Sequence, residues 1–140
     1  MFEALPQVGN GQGTVLVVED SPTQARCLRA MLEQEGLVVL LAYDGQSGLE
    51  IAQRLQPSAI ILDLQMPKLN GFQVCRQLRS KRQTSSIPII MLSSHSDEDM
   101  VEFSQQFEAV DFVCKDAFAD AVLLEMLRHM GLIGQTTRVG

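Results

Sequence analysis

Five short apolar runs constrain this chain more than any other feature, because none of them alternates: Val15-Leu16-Val17-Val18, Val38-Val39-Leu40-Leu41, Ala59-Ile60-Ile61-Leu62, Ile89-Ile90-Met91-Leu92 and Phe112-Val113-Cys114. A strand with one face in water alternates apolar and polar residues. An unbroken run is covered on both faces, as in a parallel sheet flanked by helices. The stretches between the runs carry helix start signals: Ser21-Pro22, Asp44, Gly71, Ser96 ahead of Asp97-Glu98-Asp99, and Asp116. Helix-spaced apolar positions accompany them, such as Ala25, Leu28 and Leu32 in the first and Phe72, Cys75 and Leu78 in the third. The pattern predicts an α/β fold of five strand-helix units over residues 14–133. Flexible tails are expected at 1–13 and 134–140, the second equally suited to be a linker.

A chain of 140 residues holds one domain, and 46% apolar with 20% charged residues excludes wholesale disorder. The formal charge of -6 opposes non-specific attraction to nucleic acid or anionic lipid. No apolar run is long enough to span a bilayer, and no signal-peptide pattern stands at Met1 to Gly13. Cys27, Cys75 and Cys114 are widely spaced in apolar surroundings, which indicates small core residues in a reducing cytoplasm and neither a disulfide framework nor a zinc site. Arg76, Arg79, Lys81 and Arg82 read as a solvated basic face.

Chemistry is concentrated where the runs stop. Glu19-Asp20 follow the first run, Asp63 the third, Ser93 the fourth and Lys115 the fifth. All stand at the carboxyl ends of predicted strands, the edge where open α/β sheets bind ligands. With strand order 2-1-3-4-5 these four strands are neighbours and their ends converge on one crevice. Three carboxylates brought together repel one another and call for a divalent ion, and oxygen-only ligands favour magnesium, manganese or calcium. Magnesium with one or two carboxylates and phosphate oxygens suits a phosphoryl-transfer site. Asp63 is the candidate nucleophile, forming an aspartyl phosphate, and Lys115 the candidate second cation.

Taken together, these residues resemble the receiver domain of two-component response regulators, a CheY-like module. The resemblance covers about residues 13–131. It rests on Val-Val-Glu-Asp-Ser-Pro at 17–22, Ile-Leu-Asp-Leu-Gln-Met-Pro at 61–67, Asn70-Gly71, Ile-Met-Leu-Ser-Ser at 90–94 and Val113-Cys114-Lys115. It implies a flavodoxin-like (βα)5 doubly wound parallel sheet. It also implies that Glu19 and Asp20 are the acidic pair holding magnesium, that Asp63 is both metal ligand and phosphoacceptor, and that the Gln65 backbone carbonyl completes the metal ligands. Ser93 and Lys115 would contact the phosphoryl oxygens. The implied donor is a phosphohistidine on a sensor histidine kinase or phosphotransfer protein. The implied output is a downstream protein bound by the fourth helix, fifth strand and fifth helix, with a phosphorylation-dependent dimer as one form. The domain would catalyse only its own aspartyl phosphorylation and dephosphorylation.

Three positions depart from the family's usual pattern. Asp116 stands where proline commonly follows the lysine; a cis bond there would cost about 3 to 4 kcal/mol, which puts the path after Lys115 in question. Phe112 stands where the switch aromatic is often tyrosine, and Ser93 where threonine is common. Asp116 and Phe112 motivate a rival reading, a receiver that docks partners without phosphorylation. A phosphatase resembling the haloacid dehalogenases would carry a second Asp two residues after Asp63, where this chain has Gln65.

Overall fold

The apolar runs become strands, each extended by a residue or two. The computed structural model describes residues 13–94, 105–106 and 109–134. Within them lie β1 (Thr14–Val18), α1 (Pro22–Glu33), β2 (Val38–Ala42), α2 (Gly45–Leu55), β3 (Ala59–Asp63), α3 (Gly71–Ser80), β4 (Ile89–Ser93), β5 (Val110–Cys114) and a further helix, α4 (Ala119–His129). The sheet has five strands in the order β2-β1-β3-β4-β5, and every pairing is parallel. Most of the helix expected after Ser96 over 97–107 and nearly all of both tails lie outside the described residues, and residues 105–106, which are described, form a turn.

Two separate cores explain why the runs do not alternate. Successive side chains of a strand point to opposite faces. Leu16, Val18, Ile60, Leu62 and Met91 enter one core with residues of α2 and α3. Val15, Val17, Ile61, Ile90 and Leu92 enter the other with Leu32, Leu123 and Leu127. Every residue of the central strands β3 and β4 is buried. The edge strand β2 is only half-buried up to Ala42, and β5 exposes Asp111 between Val110 and Phe112.

Helix starts follow the predicted signals in three cases. Ser21 Oγ accepts from the Gln24 amide at 3.3 Å with Pro22 next in the chain, and Asp44 Oδ1 accepts from Ser47 N at 2.7 Å. Asn70 and Gln73 form a reciprocal capping box ahead of Gly71. Asp116 does not cap the last helix: Phe118 holds the cap position, with no side-chain hydrogen bond to the helix. Instead Asp116 Oδ1 accepts from Phe118 N at 2.8 Å, closing a turn before the helix begins.

Two further readings need correction. Cys75 is buried and Cys114 half-buried, but Cys27 is exposed; it lies beside the Ala25, Leu28, Leu32 stripe of α1 and not on it. Arg79 is not part of a solvated face. Its guanidinium donates to the carbonyls of Thr84 (3.2 Å), Ile87 (2.8 Å) and Ala109 (3.1 Å). It thereby ties α3 to the turn before β4 and to the left-handed residue, φ 60°, that enters β5.

Candidate functional site

Each site residue is set in place by the strand that ends beside it. After β1, Glu19 N continues the ladder by donating to Ala42 O at 3.0 Å, and Glu19 is 2% exposed. Asp20, next along, is exposed. Asp63 is the last residue of β3 and 3% exposed. Ser93 is the last residue of β4 and buried; the register pairs Asp63 with Leu92, so Ser93 stands one step beyond on the adjacent strand. Lys115 N donates to Ser93 O at 2.7 Å, extending the pairing of β4 with β5 by one step.

Lys115 reaches the centre of the site despite Asp116. No cis peptide occurs among the described residues. Asp116 N folds back to Cys114 O at 2.9 Å, a tight turn that leaves the lysine directed at the crevice. Lys115 Nζ donates to Asp63 Oδ1 at 2.9 Å, and Gln65 N donates to the same oxygen at 3.2 Å. Both donors meet Oδ1, so neither engages Oδ2.

Carboxylate oxygens of Glu19, Asp20 and Asp63 lie within 4.8 Å of one another. Ser21 N donates to Glu19 Oε2 at 3.1 Å. Glu19 Oε1 is buried without a hydrogen-bond partner, Lys115 Nζ standing 3.8 Å away. Burial pushes the Glu19 carboxyl up to about 7; the Ser21 amide and the Lys115 ammonium oppose this, and the Asp63 carboxyl adds to it. An oxygen-only donor set with one orphaned buried oxygen fits a hard divalent cation such as magnesium. The structure thus brings Glu19, Asp20, Asp63, Gln65 and Lys115 together, with Ser93 on the adjoining strand end. A cavity of about 350 Å³ opens beside them between α1 and α4, lined in part by Glu19, Cys27, Leu28, Lys115 and Leu123.

The Glu19 shift gives a pH signature. Its carboxyl titrates at 4.5 in an unstructured chain and near 7 here, so between those values the folded state holds the extra proton. Stability therefore falls as pH rises through that window. In metal-free protein, thermal unfolding is expected to show this decline in wild type and to show it flattened in Glu19→Gln. An equal decline in both would assign the effect to other groups.

The sequence did not reveal two ties around the site. Arg79 binds three carbonyls from a helix whose pattern looks merely basic. Ser94 Oγ donates to Gln65 Oε1 at 2.9 Å, joining residues whose separation in sequence gives no hint of contact.

Comparison with known proteins bears on the whole domain. Residues 15–128 match the response regulator receiver domain. Protein PilH of Pseudomonas aeruginosa is 37% identical over 109 residues, covering 78% of this chain and 90% of that protein. Other relatives are longer, the chain spanning 32% of one and 43% of another. Among solved structures, the chemotaxis protein CheY4 of Vibrio cholerae superposes with TM-score 0.78 at 28% identity, covering 85% of this chain and 98% of that one. The receiver domain of a Pseudomonas aeruginosa sensor histidine kinase, with magnesium coordinated in its active-site cleft, gives 0.75 at 29%, covering 86% and 98%. With the sheet order, the acidic strand ends and a match spanning most of its length, the chain belongs to the response regulator receiver domain family of two-component signalling.

Proposed function

We propose that Asp63 accepts a phosphoryl group from a phosphohistidine on a partner kinase or phosphotransfer protein, in a magnesium-dependent reaction. The observation that carries this reading is the 2.9 Å approach of Lys115 Nζ to Asp63 Oδ1 beside two further carboxyls. A carboxylate oxygen of Asp63 attacks phosphorus, and the P–N bond breaks with its electron pair passing to the imidazole. Lys115 neutralises charge on the phosphoryl oxygens, and the Ser93 hydroxyl donates to one of them. Glu19, Asp20, Asp63 and the Gln65 carbonyl would hold magnesium, which when bound supplies further charge neutralisation at the transferring group. The domain acts on itself alone, forming and losing its aspartyl phosphate, and signals through altered contacts.

No helix among the described residues is long and apolar enough to cross a membrane. The three free cysteines suit a reducing compartment, and we assign the domain to the cytoplasm with proteins as its partners. Intact-mass measurement after incubation with acetyl phosphate and magnesium is expected to show one added phosphoryl group. Excess EDTA should abolish it and Asp20→Ala should reduce it severalfold. Modification that persists unchanged in EDTA would sink the metal requirement, and none in magnesium would favour docking without phosphorylation.

The output follows from Ser93 and Phe112 on paired strands. Phosphorylation adds charge and strong acceptor oxygens at Asp63 and draws the Ser93 hydroxyl toward them. The half-buried Phe112 ring, packed against the core on the α2 and α3 side, then moves inward. Lacking a hydroxyl, it gains apolar burial alone, so its two positions lie close in energy and partial switching occurs without phosphate. The responding surface is the expected helix over 97–107 with β5 and α4, which would dock a downstream protein or a second copy. Amide shifts on adding beryllofluoride and magnesium should extend over residues 110–118. Shifts confined to Asp63 and its neighbours would defeat the switch and leave the phosphoacceptor standing.

A further inference from the structure

The loop after β3 is pinned at two points and steered at a third. Leu64 N donates to Leu92 O at 2.9 Å, and Gly71 N donates to Leu64 O at 3.0 Å. Beyond that anchor Gln65 is exposed. Its amide N–H meets Asp63 Oδ1 at 3.2 Å while its side-chain oxygen accepts from Ser94 Oγ at 2.9 Å. Ser94 is the first residue past β4. One hydroxyl thus connects the end of β4, through a glutamine, to the loop whose amide faces the acceptor carboxylate. Next to this loop lies a cavity of about 400 Å³, lined by Leu64, Gln65, Met66, Asn70 and Phe72.

We propose that Ser94 is a positioning residue for the Asp63 site, holding Gln65 so that the Gln65 amide stays aimed at Asp63 Oδ1. The inference rests on the reading of Asp63 as phosphoacceptor. Ser94 acts through Gln65. Without its hydroxyl the Gln65 side chain loses its bond to Ser94 beside that cavity, and the loop loses a constraint on its direction. The hydrogen bond that the Gln65 amide donates to Asp63 Oδ1, at 3.2 Å already at the long end for N–H···O, is the contact most exposed to that change. Loosening a donor set fixed in advance weakens binding of a group that needs it in place.

The test uses the full chain with Ser94→Ala, Ser94→Thr, Gln65→Ala and the Ser94→Ala/Gln65→Ala pair. In metal-free protein, hydrogen exchange of the Gln65 amide should quicken about threefold in Ser94→Ala, the scale of one modest hydrogen bond, and return toward wild type in Ser94→Thr. Affinity for beryllofluoride with magnesium should fall about threefold in Ser94→Ala, recover in Ser94→Thr, and fall no further in the double variant than in Gln65→Ala. Ser94→Ala matching wild type in either measurement, Ser94→Thr behaving as the alanine, or effects that add in the double variant would each overturn the inference and leave Asp63 as acceptor. A wild-type chain that takes up no beryllofluoride overturns the phosphoacceptor reading, and this inference with it.

Discussion

Asp63→Asn is expected to lose phosphoryl uptake from acetyl phosphate by on the order of 10³-fold or more, because an amide oxygen is a poor nucleophile and no substitute acid is comparably placed. Glu19 holds its proton up to about 7, and Asp20 stands exposed beyond the end of β1. Only Asp63 combines burial at a central strand end with Lys115 Nζ at 2.9 Å. Asparagine keeps the shape and can still accept from Lys115 and from the Gln65 amide, so the variant should fold. It also removes the carboxyl that adds to the burial-driven rise of Glu19, so the Glu19 titration should shift down. Undiminished phosphorylation in this variant, read by intact mass and peptide mapping, would displace Asp63 from its assigned role.

Gly71→Ala is expected to cost about 2 to 3 kcal/mol of stability, despite alanine being the better helix former by about 1 kcal/mol. A Cβ at Gly71 would meet Leu64 Cα at 2.7 Å and Asp63 O at 2.9 Å. Both are backbone atoms and cannot swing aside, so α3 must lift from the end of β3. The displaced contact is the peptide of the acceptor residue itself, so phosphorylation should slow in the protein that remains folded. Chemical denaturation gives the first number and initial rates the second. A variant as stable as wild type would mean that the helix start tolerates a shift the geometry denies.

Strand positions and the acidic edge were legible because both arise from local patterns. Unbroken apolar runs mark strands covered on two faces, and the residues just past them must lie at strand ends. This places Glu19, Asp63, Ser93 and Lys115 at one edge of the sheet. What stayed hidden depends on neighbours distant in sequence. Asp116 looks like a helix cap, yet its carboxylate closes the turn ahead of Phe118. Arg79 sits in a basic stretch, yet its partners come from the turn before β4 and from Ala109, 30 residues away. Cys27 has the composition of a core residue and lies off the stripe that α1 buries. The substitution of Asp116 for proline suggested a misplaced Lys115, and the turn at Cys114 to Asp116 shows how the lysine still reaches Asp63.

Sheet order carries one more consequence, for partial unfolding. The acids of the site hang from β1 and β3, which have strands on both sides, while Lys115 follows β5, which pairs with β4 alone at the sheet's edge. The ion pair between Lys115 and Asp63 closes a loop of 52 residues, so it forms only once the last strand has docked. Sub-global opening tends to begin where a segment has neighbours on one side only. Detachment of β5 with α4 would leave β2-β1-β3-β4 and the acidic cluster in place but strip away the lysine. The chemistry of this domain is thus coupled to an edge strand, and phosphoryl uptake should fade on warming before the bulk of the sheet melts.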